Sequence, residues 1–582
     1  MKPIEYFSTV HSTAQKQYEA LRMYYVENKT AKQVASKFGY THRGFTTIVS
    51  NFRKDLKTHK PSELFFKEKK RGKKRPQQNH EAKAIIVKLR KKYYSVEDIK
   101  TTLDSKNIKM SEKTIYNILA EEGFSRLPRR LKISRRNLEP PKIEAEKSVA
   151  LTFEAEEFKT ASAGILSLLP YIERYGLREI IEQSDYPGTK SISKLSSILS
   201  FIALKASNIR RYTSDDRWCM DRGAGLFAGL NVLPKAAWFS SYSHRVTSEM
   251  NSGLLKLLHL KWISEGLLSD TFNLDFTTIP YWGDDEHLEN NYSGKRGKAL
   301  SSMLAVLAQD PDSGLIDYGD ANVTHKNESS IVLEFLDFYR QAPEDKRRLR
   351  YLVFDSKFTN YENLNRLNKE GIKFITIRRR GKNIVERLNN LPGSNWKSVR
   401  VEAAGNKKRT IKVFEEYVNL KGYEEKIRQI NITGHGKIKP AIIIANDFDM
   451  PIESIVRKYT KRWIVESRNG GTEQISFFHL NNVSSSMVIK VDFDLTMSIL
   501  THNLYRLFAR DLNRYSHLSD QSIYEKFIEN GADIKIGNEL IEIKYKKKRN
   551  LPLILETMGS YENQRYRWLA NKKIKFIGTT YS

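Results

Sequence analysis

The sequence contains a single cysteine, Cys219, among its 582 residues. One thiol cannot form an intramolecular disulfide and cannot build a multi-cysteine zinc site, so the composition fits a reducing compartment. Apolar runs long enough to cross a bilayer are also missing, because the most apolar stretches, such as 254–263, are interrupted by Lys256 and Lys261. The first residues lack the apolar core of a signal peptide. We therefore expect a soluble, intracellular protein.

Acidic residues are scarce relative to basic ones. The chain has 68 Asp and Glu against 99 Lys and Arg, which gives a formal net charge of +31, while 40% of the residues are hydrophobic. That hydrophobic content supports folded cores, and the length predicts several domains. A strong positive excess attracts polyanions, and the bases concentrate at 67–75, 126–136 and 544–549. These runs form no faces of apolar amphipathic helices, so nucleic acid is the favoured partner and a membrane is not.

The N-terminal segment has the pattern of a helix-turn-helix. Apolar residues at helical spacing precede Gly39, a helix stop, and a second apolar period begins near Thr41. We interpret residues 1–60 as a DNA-binding unit in which His42 and Arg43 contact DNA, with an ordinary helical hairpin as the alternative. Residues 61–79 form a basic linker whose Lys73, Lys74 and Arg75 are further candidate DNA contacts.

A second helical unit is predicted at residues 80–127. Ser95 is placed to cap the helix that follows it, and Ser111 with Thr114 opens a further helical segment. The segment beginning at Ser111 again resembles a recognition helix, and Lys113 and Thr114 at its start are candidate contacts to a phosphate or base edge. Residues 128–149, with a Pro-Pro pair and alternating charges, are interpreted as a linker.

The rest of the chain changes from helical to α/β patterning. Residues 150–268 have mainly helical periodicity, whereas alternation from 272 onward predicts a strand, followed by two strands, a helix, a strand, a helix and a strand. This order is typical of a ribonuclease-H-like core, although other α/β folds share it. We predict a multi-domain α/β protein with that core at 269–380 and 451–515, a β-rich insertion at 381–450 and a C-terminal basic region at 516–582.

Three carboxylates are candidates for chemistry. Asp275 lies in the first core strand, Asp355 ends the fourth, and Glu466 lies on a helix predicted at 451–468. Neighbouring strands would let the side chains converge, and converging carboxylates require a cation. Oxygen ligands favour Mg²⁺, with Mn²⁺ as a substitute, and two such ions about 4 Å apart catalyse phosphoryl transfer. The alternative for each aspartate is an ordinary turn or cap residue.

The helix that carries Glu466 also carries Tyr459 and Arg462, at spacings of seven and four residues before it. Residues at i, i+3 and i+7 share one helical face. A carboxylate, a guanidinium and a phenol on one face suit the handling of metal and phosphate.

The segment from Tyr459 to Glu466 resembles the Y-x-x-R-x-x-x-E-x-x-x-x-x-x-K signature of DDE transposases of bacterial insertion sequences, in the "insertion sequence four" family. Residues 273–277 and 351–355 resemble that family's two Asp-bearing strands, and a β-rich insertion is also typical of it. The position of the final lysine is Glu473 here, and Lys490 is a candidate replacement.

The resemblance implies that Asp275, Asp355 and Glu466 are catalytic metal ligands and that Tyr459 and Arg462 position DNA phosphates. Trp463 would stack on a displaced base, with a core aromatic as the alternative. In the segment 293–298, glycines allow close approach to a DNA backbone that bases would bind, or the segment is a surface turn; these bases are Lys295, Arg296 and Lys298.

These patterns together predict a DDE transposase that binds the terminal inverted repeats of its element and joins them to target DNA with two Mg²⁺ ions. Its expected partners are double-stranded DNA and at least one further copy of the chain, and its expected location is the bacterial cytoplasm, at the nucleoid. The alternatives are a catalytically inactive DNA-binding regulator and a domesticated ribonuclease-H-like nuclease.

Overall fold

The computed structural model describes residues 12–58, 80–91, 94–105, 108–124, 155–189, 191–210, 218–281, 288–293, 297–344, 348–403, 407–436, 439–467, 477–480 and 488–579. The chain divides into two compact units, Met1–Lys83 and Ala84–Ser582. None of the helices in these ranges combines the length and apolar character that a bilayer crossing requires. The finer segment boundaries proposed from the sequence remain predictions.

The first unit contains three successive helices, α1 (Thr13–Tyr25), α2 (Ala31–Phe38) and α3 (His42–Thr58). Thr30 caps α2 through a reciprocal hydrogen-bond pair with Gln33. Gly39 ends α2 in the left-handed conformation (φ +64°), which glycine adopts without steric cost. The helix, glycine turn and helix predicted from the sequence are therefore present, packed around a small core of Ala20, Leu21, Val34, Ala35, Phe45 and Val49.

Three more helices follow, α4 (His80–Lys91), α5 (Val96–Ser105) and α6 (Glu112–Glu121). The Ser95 hydroxyl accepts a hydrogen bond from the Asp98 N–H, and the Ser111 hydroxyl accepts one from the Thr114 N–H, both at 3.1 Å. The Ser95 cap and a helix opening at Ser111 were predicted from the sequence. The apolar faces of α4, α5 and α6 meet around Ile86, Ile99, Leu103, Ile115, Ile118 and Leu119.

A helical layer surrounds the long helix α17 (Val488–Asp511), most of whose residues are buried. The other helices of this layer are α7 (Leu169–Arg174), α8 (Leu177–Gln183), α9 (Lys194–Ala206), α10 (Arg222–Phe227), α11 (Ala236–Tyr242) and α12 (Ser248–Ser264). Lys205 on α9 and Asp494 on α17 form a buried ion pair at 2.6 Å, which satisfies two charges that would otherwise be costly in the core.

A ten-stranded sheet forms the centre of the second unit. Its strands are β2 (Thr271–Pro280), β3 (Asn290–Ser293), β4 (Lys298–Gln309), β5 (Ile316–Val323), β6 (Tyr351–Phe354), β7 (Lys373–Ile377), β8 (Lys397–Ala403), β9 (Lys407–Asn419), β10 (Lys426–Thr433) and β11 (Ala441–Ala445). The associated helices are α13 (Ile331–Tyr339), α14 (Tyr361–Lys369), α15 (Lys382–Asn389) and α16 (Ile452–Ser467).

The strand order is β3-β4-β2-β6-β7-β11-β10-β9-β8, with β5 also pairing with β4. The strands β2, β4 and β5 pair antiparallel, whereas β2, β6 and β7 run parallel. The predicted β-rich insertion corresponds to β8–β11, and its last strand rejoins the main sheet by pairing antiparallel with β7. The insertion therefore extends the sheet on the β7 side.

The C-terminal region forms a second sheet with the order β1-β12-β13-β15-β14. Its strands are β1 (Glu156–Thr160), β12 (Ala532–Ile536), β13 (Leu540–Tyr545), β14 (Arg565–Tyr566) and β15 (Lys572–Gly578), accompanied by the helices α18 (Asp520–Ile523) and α19 (Leu551–Gly559). The sequence indicated only a basic region here and helices around β1. The difference arises because β1 is a strand only through its pairing with β12, far along the chain.

Gly164 is a test of the packing between the helical layer and the C-terminal region. A Cβ at this position would overlap the carbonyl group of Ile528, so Gly164→Ala should lower the free energy of unfolding by about 3 kcal/mol. Gly253, inside α12, has open space at its Cβ position, so Gly253→Ala should raise stability by about 0.5–1 kcal/mol. Urea unfolding followed by circular dichroism measures both, and equal effects would contradict this packing.

Candidate active site

Pairing between β2 and β6 determines where the two predicted aspartates lie. Leu274 is paired with Phe354 in the parallel register, so Asp275 and Asp355 come one residue later on adjacent strands. Adjacent strands are about 4.8 Å apart. The two aspartates are separated by 80 positions in the sequence. Because their strands are paired, they are neighbours at the end of the sheet where β6 stops.

Both aspartates lie on the same face of the sheet. Leu274 and Phe354 pack into the large core, whereas Val353, two residues before Asp355, packs into a second core beneath α16. Because successive side chains on a strand alternate between faces, Asp275 and Asp355 share the α16 face. The helix contributes Ile455, Val456 and Tyr459 to that second core.

Arg462 links α16 to the first aspartate. Its side chain is 2% exposed, and one terminal nitrogen lies 3.5 Å from Asp275 Oδ1. The other terminal nitrogen donates a hydrogen bond to the Tyr459 hydroxyl at 3.1 Å. A buried guanidinium is costly without a counter-charge, so the Asp275 carboxylate contributes to holding it. In this arrangement Arg462 faces a carboxylate, and its contact with a DNA phosphate stays a prediction.

An aromatic contact joins the segments that follow the two aspartates. The rings of Phe276 and Phe358 stack at 3.9 Å between centroids with an interplanar angle of 4°. Asp275 Oδ1 accepts a hydrogen bond from the Phe276 N–H at 2.9 Å, and Asp355 accepts one from the N–H of Ser356. These contacts orient both carboxylates and fix one strand end against the other.

The third predicted ligand can be located only by its backbone. Glu466 lies in α16, one helical turn beyond Arg462, which places it on the same side of the helix. The side chains of Trp463 and Glu466 lie outside the described residues, and so does Glu473. Lys490, the candidate replacement for the signature lysine, lies at the start of α17, where burial lowers its pKa to about 8.

The donor set fits a hard divalent cation. Carboxylate oxygens are the ligands that Mg²⁺ and Mn²⁺ accept, and Asp275 and Asp355 supply them from adjacent strands. Within the described ranges, no group of three or more His, Cys, Asp and Glu side chains is arranged to hold a metal ion. A third carboxylate ligand from Glu466 stays a prediction, because the side chain of Glu466 lies outside the described residues.

The predicted DNA contacts outside this site lie in several separate segments of the chain. His42 and Arg43 are exposed at the start of α3, Lys113 and Thr114 are exposed at the start of α6, and Lys298 is exposed at the start of β4. The remaining predicted contacts lie outside the described residues; they are Lys73, Lys74, Arg75, Lys295 and Arg296. The role of each in binding DNA stays a prediction.

Lys458 was not predicted as a site residue from the sequence. It precedes Arg462 by one helical turn. Its Nζ donates a hydrogen bond to Thr271 Oγ1 at 2.9 Å and lies 4.5 Å from the centre of the Tyr351 ring. Burial lowers the pKa of Lys458, and the nearby Asp270 opposes that shift. The spacing of four residues from Arg462 was the available signal that it faces the same strands.

The region that carries the two aspartates is similar to a known protein family. Residues 269–504, less than half of the chain, match the family described as "Transposase DDE domain". The match supports a DDE transposase domain in this region, and domains of that family belong to enzymes that cleave and transfer DNA. No curated protein matches the chain. A solved structure of the piggyBac transposase synaptic complex with hairpin DNA is similar over 71% of this chain and 86% of that chain, at 11% identity and a TM-score of 0.34. A TM-score this low establishes no common fold.

The hydrogen bond between Arg462 and Tyr459 predicts a measurable effect on stability. Tyr459→Phe removes the buried acceptor of a charged donor, so it should lower the free energy of unfolding by about 1–2 kcal/mol. Tyr417, which is 53% exposed on β9, supplies the control, since Tyr417→Phe should change stability by less than about 0.5 kcal/mol. Urea unfolding of the two variants compares them directly. Equal losses would show that the Tyr459 hydroxyl contributes nothing specific.

Proposed function

We propose that this chain is a DDE transposase that binds the ends of its own mobile element and catalyses metal-dependent strand cleavage and strand transfer. The observation that carries the proposal is the adjacency of Asp275 and Asp355 on parallel strands, with Arg462 of α16 buried against Asp275. This adjacency lies within the region that matches the transposase DDE domain. The antiparallel-then-parallel order of β5, β4, β2, β6 and β7 supports a ribonuclease-H-like core.

In the proposed mechanism, Asp275, Asp355 and Glu466 would hold two Mg²⁺ ions through their carboxylate oxygens. When bound, the ions supply activation of the attacking oxygen and stabilisation of the leaving oxygen. Arg462 orients the Asp275 carboxylate, and the Tyr459 hydroxyl orients Arg462 in turn. The Phe276–Phe358 stack packs the segments that follow the two aspartates against each other, which limits their relative movement.

The two proposed steps need no ATP. Water first displaces the 3′-oxygen from a phosphodiester at each element end, which leaves a free 3′-hydroxyl. That hydroxyl then attacks a target phosphodiester, so one P–O bond forms as another breaks. The helical units at 1–60 and 80–127 are proposed to bind the terminal inverted repeats, and joining two ends requires at least a dimer.

Alanine substitutions at the three carboxylates test the catalytic assignment. Asp275→Ala, Asp355→Ala and Glu466→Ala should each reduce nicking of element-end DNA by at least about a thousandfold while leaving end binding within about threefold of wild type. Asp312, a 64% exposed carboxylate paired with Lys461, provides the control, and Asp312→Ala should nick normally.

Gel analysis of nicked and joined products distinguishes the outcomes of that experiment. Normal nicking by the three variants would refute the assignment. If the wild type binds end DNA without nicking it, the chain is a regulator, and if it nicks without joining, the chain is a nuclease.

Removal of divalent metal should have a parallel effect. EDTA should abolish nicking, and either Mg²⁺ or Mn²⁺ should restore it, because both ions accept an all-oxygen ligand set. Added Mn²⁺ should also raise the thermal midpoint of the wild type and leave that of Asp275→Ala unchanged, since ligands stabilise only a state that binds them. Nicking that persists in EDTA would rule out this chemistry.

A further inference from the structure

A turn rich in arginine follows β7, next to the strand that carries Asp355. The segment Arg378-Arg379-Arg380-Gly381-Lys382 has four bases in five residues and no acid. Phe354 of β6 is paired with Thr376 of β7 in parallel register. Arg378 is therefore roughly 6 Å from Asp355 between Cα atoms, one strand over and one residue further along.

The first arginine of this turn is held in place by the insertion. Its N–H donates to the Ile442 carbonyl at 2.9 Å, and its guanidinium donates to Gln429 Oε1 at 2.6 Å. Gln429 is fully buried and in turn donates to Glu416 at 2.7 Å. Ile375 and Ile377 pack in the core beneath α16, so strand alternation turns the Arg378 side chain to the other face, where its bonds anchor the start of the turn.

The acidic member of this network is already neutralised. Arg387 of α15 binds both carboxylate oxygens of Glu416, at 2.6 and 2.8 Å. Burial raises the pKa of Glu416, but the hydrogen bonds from Arg387 and Asn431 outweigh it and keep that pKa below its ordinary value. Glu416 therefore stays ionised while its charge is compensated by Arg387, which leaves the bases of the turn in excess.

The other bases of the turn face solvent. Arg380 is anchored by hydrogen bonds to the carbonyls of Lys439 and Pro440, at 3.2 and 2.7 Å, and remains exposed. Arg379 is exposed, and the Lys382 side chain is 86% exposed, with Glu386 at 3.8 Å. Exposed cations on an anchored backbone form a surface that matches the charge of a nucleic-acid strand.

We propose that Arg378–Lys382 is a docking surface for the DNA backbone on the β7 side of the catalytic carboxylates, binding phosphates beside the scissile one. The inference rests on the proposed function, because it assigns a partner to the same sheet edge. DNA that reaches Asp275 and Asp355 and continues along this edge passes over the turn. Contacts of this kind read charge and carry no sequence preference.

The test compares two variants of the full chain that each lose two exposed cations. Arg379→Ala/Lys382→Ala removes bases from the turn, and Lys421→Ala/Lys426→Ala removes exposed bases from the opposite edge of the same sheet. Binding is measured on a short fluorescein-labelled duplex of arbitrary sequence in EDTA, between about 50 and 200 mM salt. Log affinity decreases linearly with log salt, and the steepness of that decrease should be smaller by about 2 for the turn variant and unchanged for the control.

Equal slopes for the turn variant and the wild type, or equal losses in the two variants, would overturn the inference. A second arm uses a nicked-site duplex in which a neutral methylphosphonate replaces one phosphate beside the scissile position. This replacement should weaken DNA binding by the wild type and have no further effect on DNA binding by Arg379→Ala/Lys382→Ala. The proposed function is refuted if the wild type with Mg²⁺ never nicks DNA. The docking surface is refuted by the binding data alone.

Discussion

The parallel register of β2 and β6 is the constraint on which the candidate active site depends. A shift of one residue would turn one aspartate to the opposite face of the sheet, because strand side chains alternate. The observed pairing of Leu274 with Phe354 keeps Asp275 and Asp355 on the α16 face. The stack of Phe276 on Phe358 reinforces this register just beyond the paired residues.

Helix α16 packs against the sheet and contacts Asp275 with the same face. Its apolar residues complete the second core, while Arg462 points from that core toward Asp275. A buried guanidinium beside a carboxylate contributes little net stability, since the loss of hydration offsets much of the attraction. The pair is better understood as a means of orienting Asp275. The insertion adds a second basic feature by tethering Arg378 through buried Gln429.

Local patterns in the sequence predicted much of this arrangement. Alternation identified β2, the serines at 95 and 111 identified helix starts, and the spacing of Tyr459 and Arg462 identified the shared helical face. Features that depend on distant pairing were missed. The strand β1 exists through β12, and the importance of the turn after β7 depends on parallel pairing with β6 and on contacts from the insertion. No local period encodes such long-range contacts.

We propose that Asp275, Asp355 and Glu466 together hold the divalent metal ions. Iron-mediated cleavage of the polypeptide is a direct test, because Fe²⁺ bound in place of Mg²⁺ reduces added hydrogen peroxide to hydroxide and a hydroxyl radical, which cuts the backbone nearby. We expect cuts near residues 275, 355 and 466 together, suppressed by excess Mg²⁺ and absent in Asp275→Ala. Cuts confined to one of these segments, or cuts that persist in Asp275→Ala, would contradict it.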